Sequence, residues 1–104
     1  MSSRIVLLAS LFIHPGREVE FRQFETKAAS IMQKYGGRIE QVIRPLPSAQ
    51  TNSTPYEIHL VSFPNMEKFD AYRGDSDLAT LTQLRQSAIA RTEVVIGEEG
   101  EPYL

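Results

Sequence analysis

The chain has no cysteine among its 104 residues. This absence excludes disulfide bonds, metal sites built from thiolates and a cysteine nucleophile. A protein without disulfides suits the reducing conditions of the cytoplasm, which is where we expect this chain to act.

Long hydrophobic runs are also missing. The only candidate is IVLLASLFI at Ile5–Ile13, which is far too short to cross a bilayer as a helix. One basic residue precedes it and HPGRE follows it, so its flanks are not those of a secretory signal. A short apolar run that ends at turn-forming residues is typical of a buried strand, and we predict no membrane association.

Positive charge is not in excess. Eleven Lys and Arg residues against thirteen Asp and Glu residues give a formal net charge of −2. No basic excess is present to neutralise phosphates, so nucleic acid is not expected as a partner. Three of the acids, Glu98, Glu99 and Glu101, lie within residues 98–104, which we interpret as an acidic C-terminal tail.

Familiar catalytic motifs are absent as well. No Ser–His–acid order, nucleotide-binding glycine motif or pair of catalytic carboxylates is recognisable. The two histidines, His14 and His59, lack acidic partners at the spacing of a metal site. Neither lies on a helical face where an axial haem ligand is expected. We therefore predict neither a metal nor a cofactor.

Hydrophobic periodicity divides the chain into four strands and two helices, the second of them broken. Alternating apolar residues predict strands at residues 4–13, 38–46, 56–63 and 92–96. Apolar steps of three and four predict a helix over residues 17–35. The second helix begins after Asn65, is interrupted at Gly74 and continues to about Ala90. With no repeat or linker, the chain reads as one domain, 1–104, with a core at about residues 4–97.

Two adjacent glycines, Gly36 and Gly37, follow the first predicted helix in the segment KYGGRI. A glycine loop that cradles phosphate follows a strand and precedes a helix, whereas here the helix comes first. We interpret the pair as a helix stop. Gly36 would take the left-handed cap, and Gly37 would free the turn into the next strand.

The order strand, helix, strand, strand, helix, strand predicts an α+β, ferredoxin-like βαββαβ fold. The right-handed crossover rule makes strands one and two parallel, with strand three between them. The result is an antiparallel four-stranded sheet in the order four, one, three, two, with both helices on one face. Strand one is nevertheless apolar on both faces, so we expect the open face to pack on a second copy as a homodimer.

Four segments also resemble a known family: LFIHPGREVEFRQFE, YGGRIEQVIRP, PYEIHLVSFPNMEKFDAY and LRQSAIA. They are similar to a small bacterial family of unknown function within the dimeric α/β-barrel superfamily, over roughly residues 4–97. The block YGGR at 35–38 is the most specific part of the likeness. The resemblance implies a dimeric ferredoxin-like domain. The wider superfamily includes cofactor-free monooxygenases, haem-degrading enzymes, lactone isomerases and dye-decolourising peroxidases, so no single reaction is implied.

The predicted topology brings several polar residues to one edge of the sheet, where strands one and two end and strands three and four begin. They are His14, Arg44, Tyr56, Glu57 and Arg91. A histidine beside arginines and the positive end of a helix is a candidate site for a carboxylate or an enolate. The alternative is that these are ordinary solvated strand ends.

Further candidates lie on the elements themselves. His59, in a central strand, could project between protomers as a general base, or be a satisfied core or interface residue. Tyr72 lies on an apolar helix face, where packing in the core is the default. Arg85 lies near the inward stripe of the last helix, where it would either line a pocket between helix and sheet or pair with Asp77 or Glu93.

Three functions stay open, and the sequence does not decide whether the protein is an enzyme. The first is a dimeric small-molecule-binding protein, with a cofactor-free oxygenase or isomerase of aromatic or enolisable compounds as its catalytic form. The second is a non-catalytic dimeric domain that binds other proteins through its acidic tail. The third is an accessory protein whose ligand is structural. The first has catalytic candidates His14 and His59, and ligand-binding candidates Arg44, Tyr56, Tyr72 and Arg85.

Overall fold

The computed structural model describes residues 4–103. The strands are β1 (Ile5–Ile13), β2 (Arg38–Ile43), β3 (Glu57–Phe63) and β4 (Ile89–Glu98). The helices are α1 (Glu18–Gln33), α2 (Met66–Arg73), α3 (Ser76–Ala79) and α4 (Thr82–Ala88), and a 3₁₀ turn, Pro47–Ala49, lies in the β2–β3 loop. The predicted domain and tail limits, 1–104 and 98–104, take in residues 1–3 and 104, which lie outside the described residues.

The strands form one open sheet in the order β2-β3-β1-β4, with every neighbouring pair antiparallel. The predicted α+β class, βαββαβ order and strand arrangement are therefore confirmed. A register shift between Ile39 and Gln41 marks a bulge in β2. No helix within residues 4–103 is long and apolar enough to cross a membrane.

The double glycine ends α1 as predicted, but its two members do so for different reasons. Gly36 has φ of +73°, the left-handed conformation in which a side chain is strained. Gly37 instead lies against the core, since an added Cβ would overlap Met32 and the ring of Phe63. The second glycine is therefore required by close packing rather than by backbone freedom.

The predicted helix that runs from Gly74 to about Ala90 is wrong in detail. The structure has two short helices, α3 and α4, and β4 already begins at Ile89. The hydroxyls of Thr80 and Thr82 donate to the carbonyls of Asp77 and Ala79, at 2.6 and 2.8 Å. Such local side-chain bonds compete with the helical pattern and favour a break.

Two other predicted boundaries also shift. Strand β2 ends at Ile43 rather than at residue 46. Strand β4 runs to Glu98, so the predicted tail begins inside the sheet. The next residue, Glu99, is also held to the sheet, because its carboxylate pairs with Arg4 at 2.6 Å.

Helices cover one face of the sheet, and the core lies between the sheet and the helices. One cluster of buried side chains surrounds Phe63 and the other surrounds Phe21, each of which is only 1% exposed. On β1 the side chains of Ile5, Leu7 and Leu11 belong to this covered face. Residues that alternate with them point to the other face of the sheet.

The open face carries a row of apolar side chains. Leu8 pairs with Leu60 on one side and with Val95 on the other, so the three stand side by side across β3, β1 and β4. Leu8 is 42% exposed and Val95 is 67% exposed. Ile43 pairs with Ile58 on the same face, one strand further out. The sequence-based prediction that β1 is apolar on both faces is confirmed.

Candidate functional site

A cavity of about 520 Å³ lies between the sheet and the helices. Its volume falls in the range of small-molecule sites, about 300–1,000 Å³. Most of the wall is apolar and includes Leu7, Leu11, Phe24, Val61, Phe63 and Phe69. A few polar side chains interrupt this wall, among them Glu25, His59, Tyr72 and Arg85. Apolar walls with a few convergent polar groups are typical of a ligand pocket.

His59 lies on the covered face of β3 and lines this cavity. It pairs with Ala9 across the sheet, and Val61 two residues later is buried on the same side. Of the two alternatives for His59, projection between protomers is therefore wrong, and the structure shows a buried, hydrogen-bonded residue on the core side of the sheet. Because strand side chains alternate, a residue that faces the helices cannot also face the open side of the sheet.

His59 has one firm hydrogen-bond partner, the buried carboxylate of Glu57. Nε2 of His59 lies 2.6 Å from Oε1 of Glu57, and Oε2 of Glu57 accepts from Nε of Arg44 at 2.9 Å. A carboxylate held by an arginine accepts hydrogen bonds, which assigns the ring proton to Nε2. In the neutral ring Nδ1 is then left as an unprotonated acceptor.

Glu25, on α1, stands on the other side of the imidazole. Its Oε1 lies 3.7 Å from Nδ1 of His59, and its Oε2 is buried with no hydrogen-bond partner in residues 4–103. Burial raises the pKa of Glu25, the positive charge available to His59 opposes that rise, and Glu57 adds to it. A buried polar atom without a partner is uncommon and calls for a functional or ligand-based explanation.

Sequence reasoning missed Glu25, although the sequence contains a signal for it. Glu25 follows Phe21 by four residues and precedes Ala28 by three, and both neighbours are buried on α1. That spacing places Glu25 on the inward stripe of the helix. A carboxylate on an apolar stripe is the pattern by which it could have been found.

Tyr72 and Arg85 meet the cavity from the helical side. Burial raises the pKa of Tyr72 to about 12, with Glu25 adding to the rise and Arg85 opposing it. The tyrosine hydroxyl therefore stays protonated at neutral pH and can donate a hydrogen bond. Arg85 does not make the ion pairs that the sequence suggested, because Asp77 pairs with Lys34 and Glu93 pairs with Arg91.

Three other predicted residues lie at the sheet edge, outside the cavity wall. His14 is exposed, and its backbone N–H donates to the carbonyl of Ala88 at 2.8 Å. The ring of Tyr56 packs edge-on against Phe21, with ring centroids 5.5 Å apart. Arg91 lies over the ring of Phe12 at 4.0 Å. The predicted convergence of strand ends is present, and the Glu57–Arg44 pair connects this edge to the cavity through His59.

Within the described part of the chain, no group of three or more His, Asp or Glu side chains could hold a metal ion. A carboxylate-oriented imidazole, a second carboxyl and a protonated phenol face a mostly apolar space.

No protein-family model and no curated protein matches the sequence. Solved structures do match in shape. The RPA0582 protein of unknown function from Rhodopseudomonas palustris has a TM-score of 0.82 at 11% identity, covering 98% of this chain and 86% of that chain. SnoaB, a cofactor-independent oxygenase from Streptomyces nogalater, has a TM-score of 0.72 at 8% identity, covering 97% of both chains.

A third structure names the architecture. The dabb family protein with a ferredoxin-like fold from Mesorhizobium loti has a TM-score of 0.68 at 12% identity, covering 96% of this chain and all of that one. This chain has a ferredoxin-like fold. The fold implied by the sequence resemblance is thus confirmed. Identities this low establish the shared fold and leave the reaction to be argued from the site.

Proposed function

We propose that the cavity binds a small aromatic or enolisable compound and that His59 removes a proton from it, as the first step of a cofactor-free oxygenase or isomerase reaction. One observation carries this proposal. Nδ1 of His59 lies 3.7 Å from Oε1 of Glu25, whose Oε2 has no hydrogen-bond partner within residues 4–103, and both side chains line a largely apolar cavity of about 520 Å³.

The surrounding groups suit the removal of a proton. The carboxylate of Glu57 orients the ring and stabilises the imidazolium that forms when Nδ1 takes a proton. The anion left on the ligand can accept a hydrogen bond from the hydroxyl of Tyr72 and lies in the field of Arg85. The wall is mostly apolar, and a surround of low polarity strengthens these interactions. SnoaB, an oxygenase without a cofactor on the same fold, supports the oxygenase form of the proposal.

A deuterium-exchange assay tests proton removal directly. The probe is 2-tetralone, an aromatic ketone with enolisable protons, incubated in D₂O and followed by NMR. In the presence of the wild type, these protons are expected to exchange faster than in buffer alone. With His59→Gln, the exchange rate is expected to equal that in buffer alone. Glutamine can still donate to Glu57, so the fold should be kept. His14→Ala is the matched control, because His14 lies outside the cavity.

Oxygen uptake then separates the two reaction classes. Uptake that depends on both His59 and the ketone indicates an oxygenase, and exchange without uptake indicates an isomerase-type enolisation. A thermal-shift screen of aromatic acids, quinones and haem should find compounds that stabilise the wild type and His14→Ala more than His59→Gln. If the wild type exchanges at the buffer rate and no compound shifts its melting temperature, the non-catalytic alternative is favoured.

We also propose that the open face of the sheet forms a homodimer. The row of Leu60, Leu8 and Val95 is apolar, and the nearby charges on this face are of both signs, as in the Arg91–Glu93 pair. A face of mixed charge can meet its own copy without net repulsion. Burial of such a row would also supply a small domain with extra apolar contact.

Light scattering at micromolar concentration tests the dimer. The wild type is expected to have twice the mass of the chain, and Leu8→Glu to have the mass of one chain. Val19→Glu, on the exposed side of α1, introduces the same charge elsewhere and should stay dimeric. A monodisperse wild-type monomer would refute the proposal.

A further inference from the structure

Arg85 is an exposed residue at the cavity wall, and its guanidinium has no ion pair within residues 4–103. It lies on α4 and lines the same space as Glu25 and His59. The two acids that its sequence position suggested as partners are engaged elsewhere. Oδ2 of Asp77 lies 3.2 Å from Nζ of Lys34, and Oε2 of Glu93 lies 3.3 Å from Nε of Arg91.

The other arginine that lines the cavity, Arg73, does have partners. Arg73 pairs with the carboxylate of Asp70, and its guanidinium lies over the ring of Phe69 at 4.6 Å. Both of its favourable interactions, with an anion and with an aromatic face, are already made. Arg85 is thus the guanidinium left to recognise something in the cavity.

The remaining acid of the wall does not neutralise Arg85. Glu25 lies beside His59, and burial raises its pKa, which favours its uncharged form. Its Oε2 is buried without a hydrogen-bond partner within residues 4–103, and an uncharged carboxyl does not form an ion pair with Arg85. Between these polar groups the wall is made of apolar side chains such as Leu7, Val61 and Phe63.

We propose that the ligand of this cavity is an aromatic carboxylic acid whose carboxylate binds Arg85 while its ring lies on the apolar wall and a hydroxyl or carbonyl group reaches Glu25 and His59. This specifies the substrate class within the function proposed above and rests on it. The planar guanidinium presents two parallel N–H groups that match the two oxygens of a carboxylate.

A matched pair of fluorescent probes tests the assignment. 6-Hydroxy-2-naphthoate carries the carboxylate, and 6-hydroxy-2-naphthamide has the same ring and hydroxyl without the charge. Titrations of the wild type should give an affinity about tenfold or more higher for the naphthoate, as expected for a charge-assisted hydrogen bond. Arg85→Gln should reduce that ratio to about one and leave the amide affinity within about twofold.

Two further variants distinguish a direct contact between the carboxylate and residue 85 from a general attraction to positive charge on the protein. Arg85→Lys keeps a positive charge at the site and should retain part of the preference. Lys27→Gln, on the exposed surface of α1, removes one positive charge far from the cavity and should retain all of it. Thermal unfolding of each variant verifies that it is folded.

The outcomes distinguish this inference from the proposed function. If both probes bind the wild type equally and His59→Gln weakens both, the pocket function stands and the role of Arg85 is refuted. If Arg85→Gln still binds the naphthoate more tightly than the amide, the proposed role of Arg85 is also refuted. If neither probe binds at millimolar concentration, both the ligand class and the pocket function fail.

Discussion

Glu25 makes the pH dependence of stability a direct test of the candidate site. Its carboxyl is largely buried, its Oε2 has no partner within residues 4–103, and its pKa is raised by that burial. A group whose folded-state pKa is raised keeps its proton in the folded chain at pH values where the unfolded chain has lost it. It therefore stabilises the fold below the unfolded pKa, and this contribution is lost as pH rises through the folded pKa.

The perturbation is Glu25→Gln, which keeps the shape of the side chain and removes the titration. An unfolded glutamic acid has a pKa of about 4.3, so the two proteins should differ least near pH 4. Above that pH the variant should gain stability relative to the wild type. The gain rises by at most about 1.4 kcal/mol per pH unit, the limit for one proton, and levels off above the folded pKa.

Urea unfolding between pH 4 and pH 7, at one fixed protein concentration, measures this difference. The exposed acid Glu67 provides the control, because Glu67→Gln removes a carboxylate that stays in water in both states. If the difference in free energy of unfolding between Glu25→Gln and the wild type stays constant or falls as pH rises, water reaches the carboxyl of Glu25. The cavity would then lack the apolar surroundings that the proposed proton transfer needs.

Three further predictions concern the elements that hold the site. Gly36→Ala should lower the free energy of unfolding by about 1–2 kcal/mol, because φ is +73° and the new Cβ would lie 2.8 Å from Pro64 Cγ. Gly37→Ala should lower the free energy of unfolding further, by about 3 kcal/mol, since the rigid ring of Phe63 cannot move aside. Equal urea midpoints for the two variants would contradict this order. Asp75→Asn should destabilise the protein at pH 7, because the amide can still cap α3 but loses the ion pair with Lys34, which is the first cause of the lowered pKa of Asp75. That loss should shrink as pH falls below about 3.9, and a loss that is the same at pH 2 and pH 7 would argue against the ion pair.

Local patterns were sufficient to predict the order of elements. Alternation across Ile5–Ile13 and the three-and-four steps of α1 are each set by neighbours in sequence, so they can be read without knowing the partner element. The further break between α3 and α4 could not be predicted in this way. This break depends on which carbonyls the Thr80 and Thr82 hydroxyls reach, and apolar spacing does not record that choice.

The candidate site was predictable only in part, for a related reason. Glu57 and His59 are two residues apart on one strand, so they share a face, and their contact follows from the strand period alone. The approach of Glu25 to His59 depends on how α1 lies across β3. Apolar spacing marks Glu25 as an inward residue of α1, but no local pattern specifies the crossing that brings its carboxyl to His59.

The crossing of α1 over β3 is in turn fixed by contacts at both ends of the helix. Near its C-terminal end, Gly37 lets the chain approach Phe63 so closely that even a methyl group would overlap the ring. Near its N-terminal end, Phe21 packs on the ring of His59, with centroids 6.4 Å apart. Glu25 lies one turn after Phe21, between these two contacts, and is thereby held beside Nδ1 of His59. Gly37 therefore affects the candidate site although it does not line the cavity, because any larger residue at this position would displace Met32 or Phe63, which do line it.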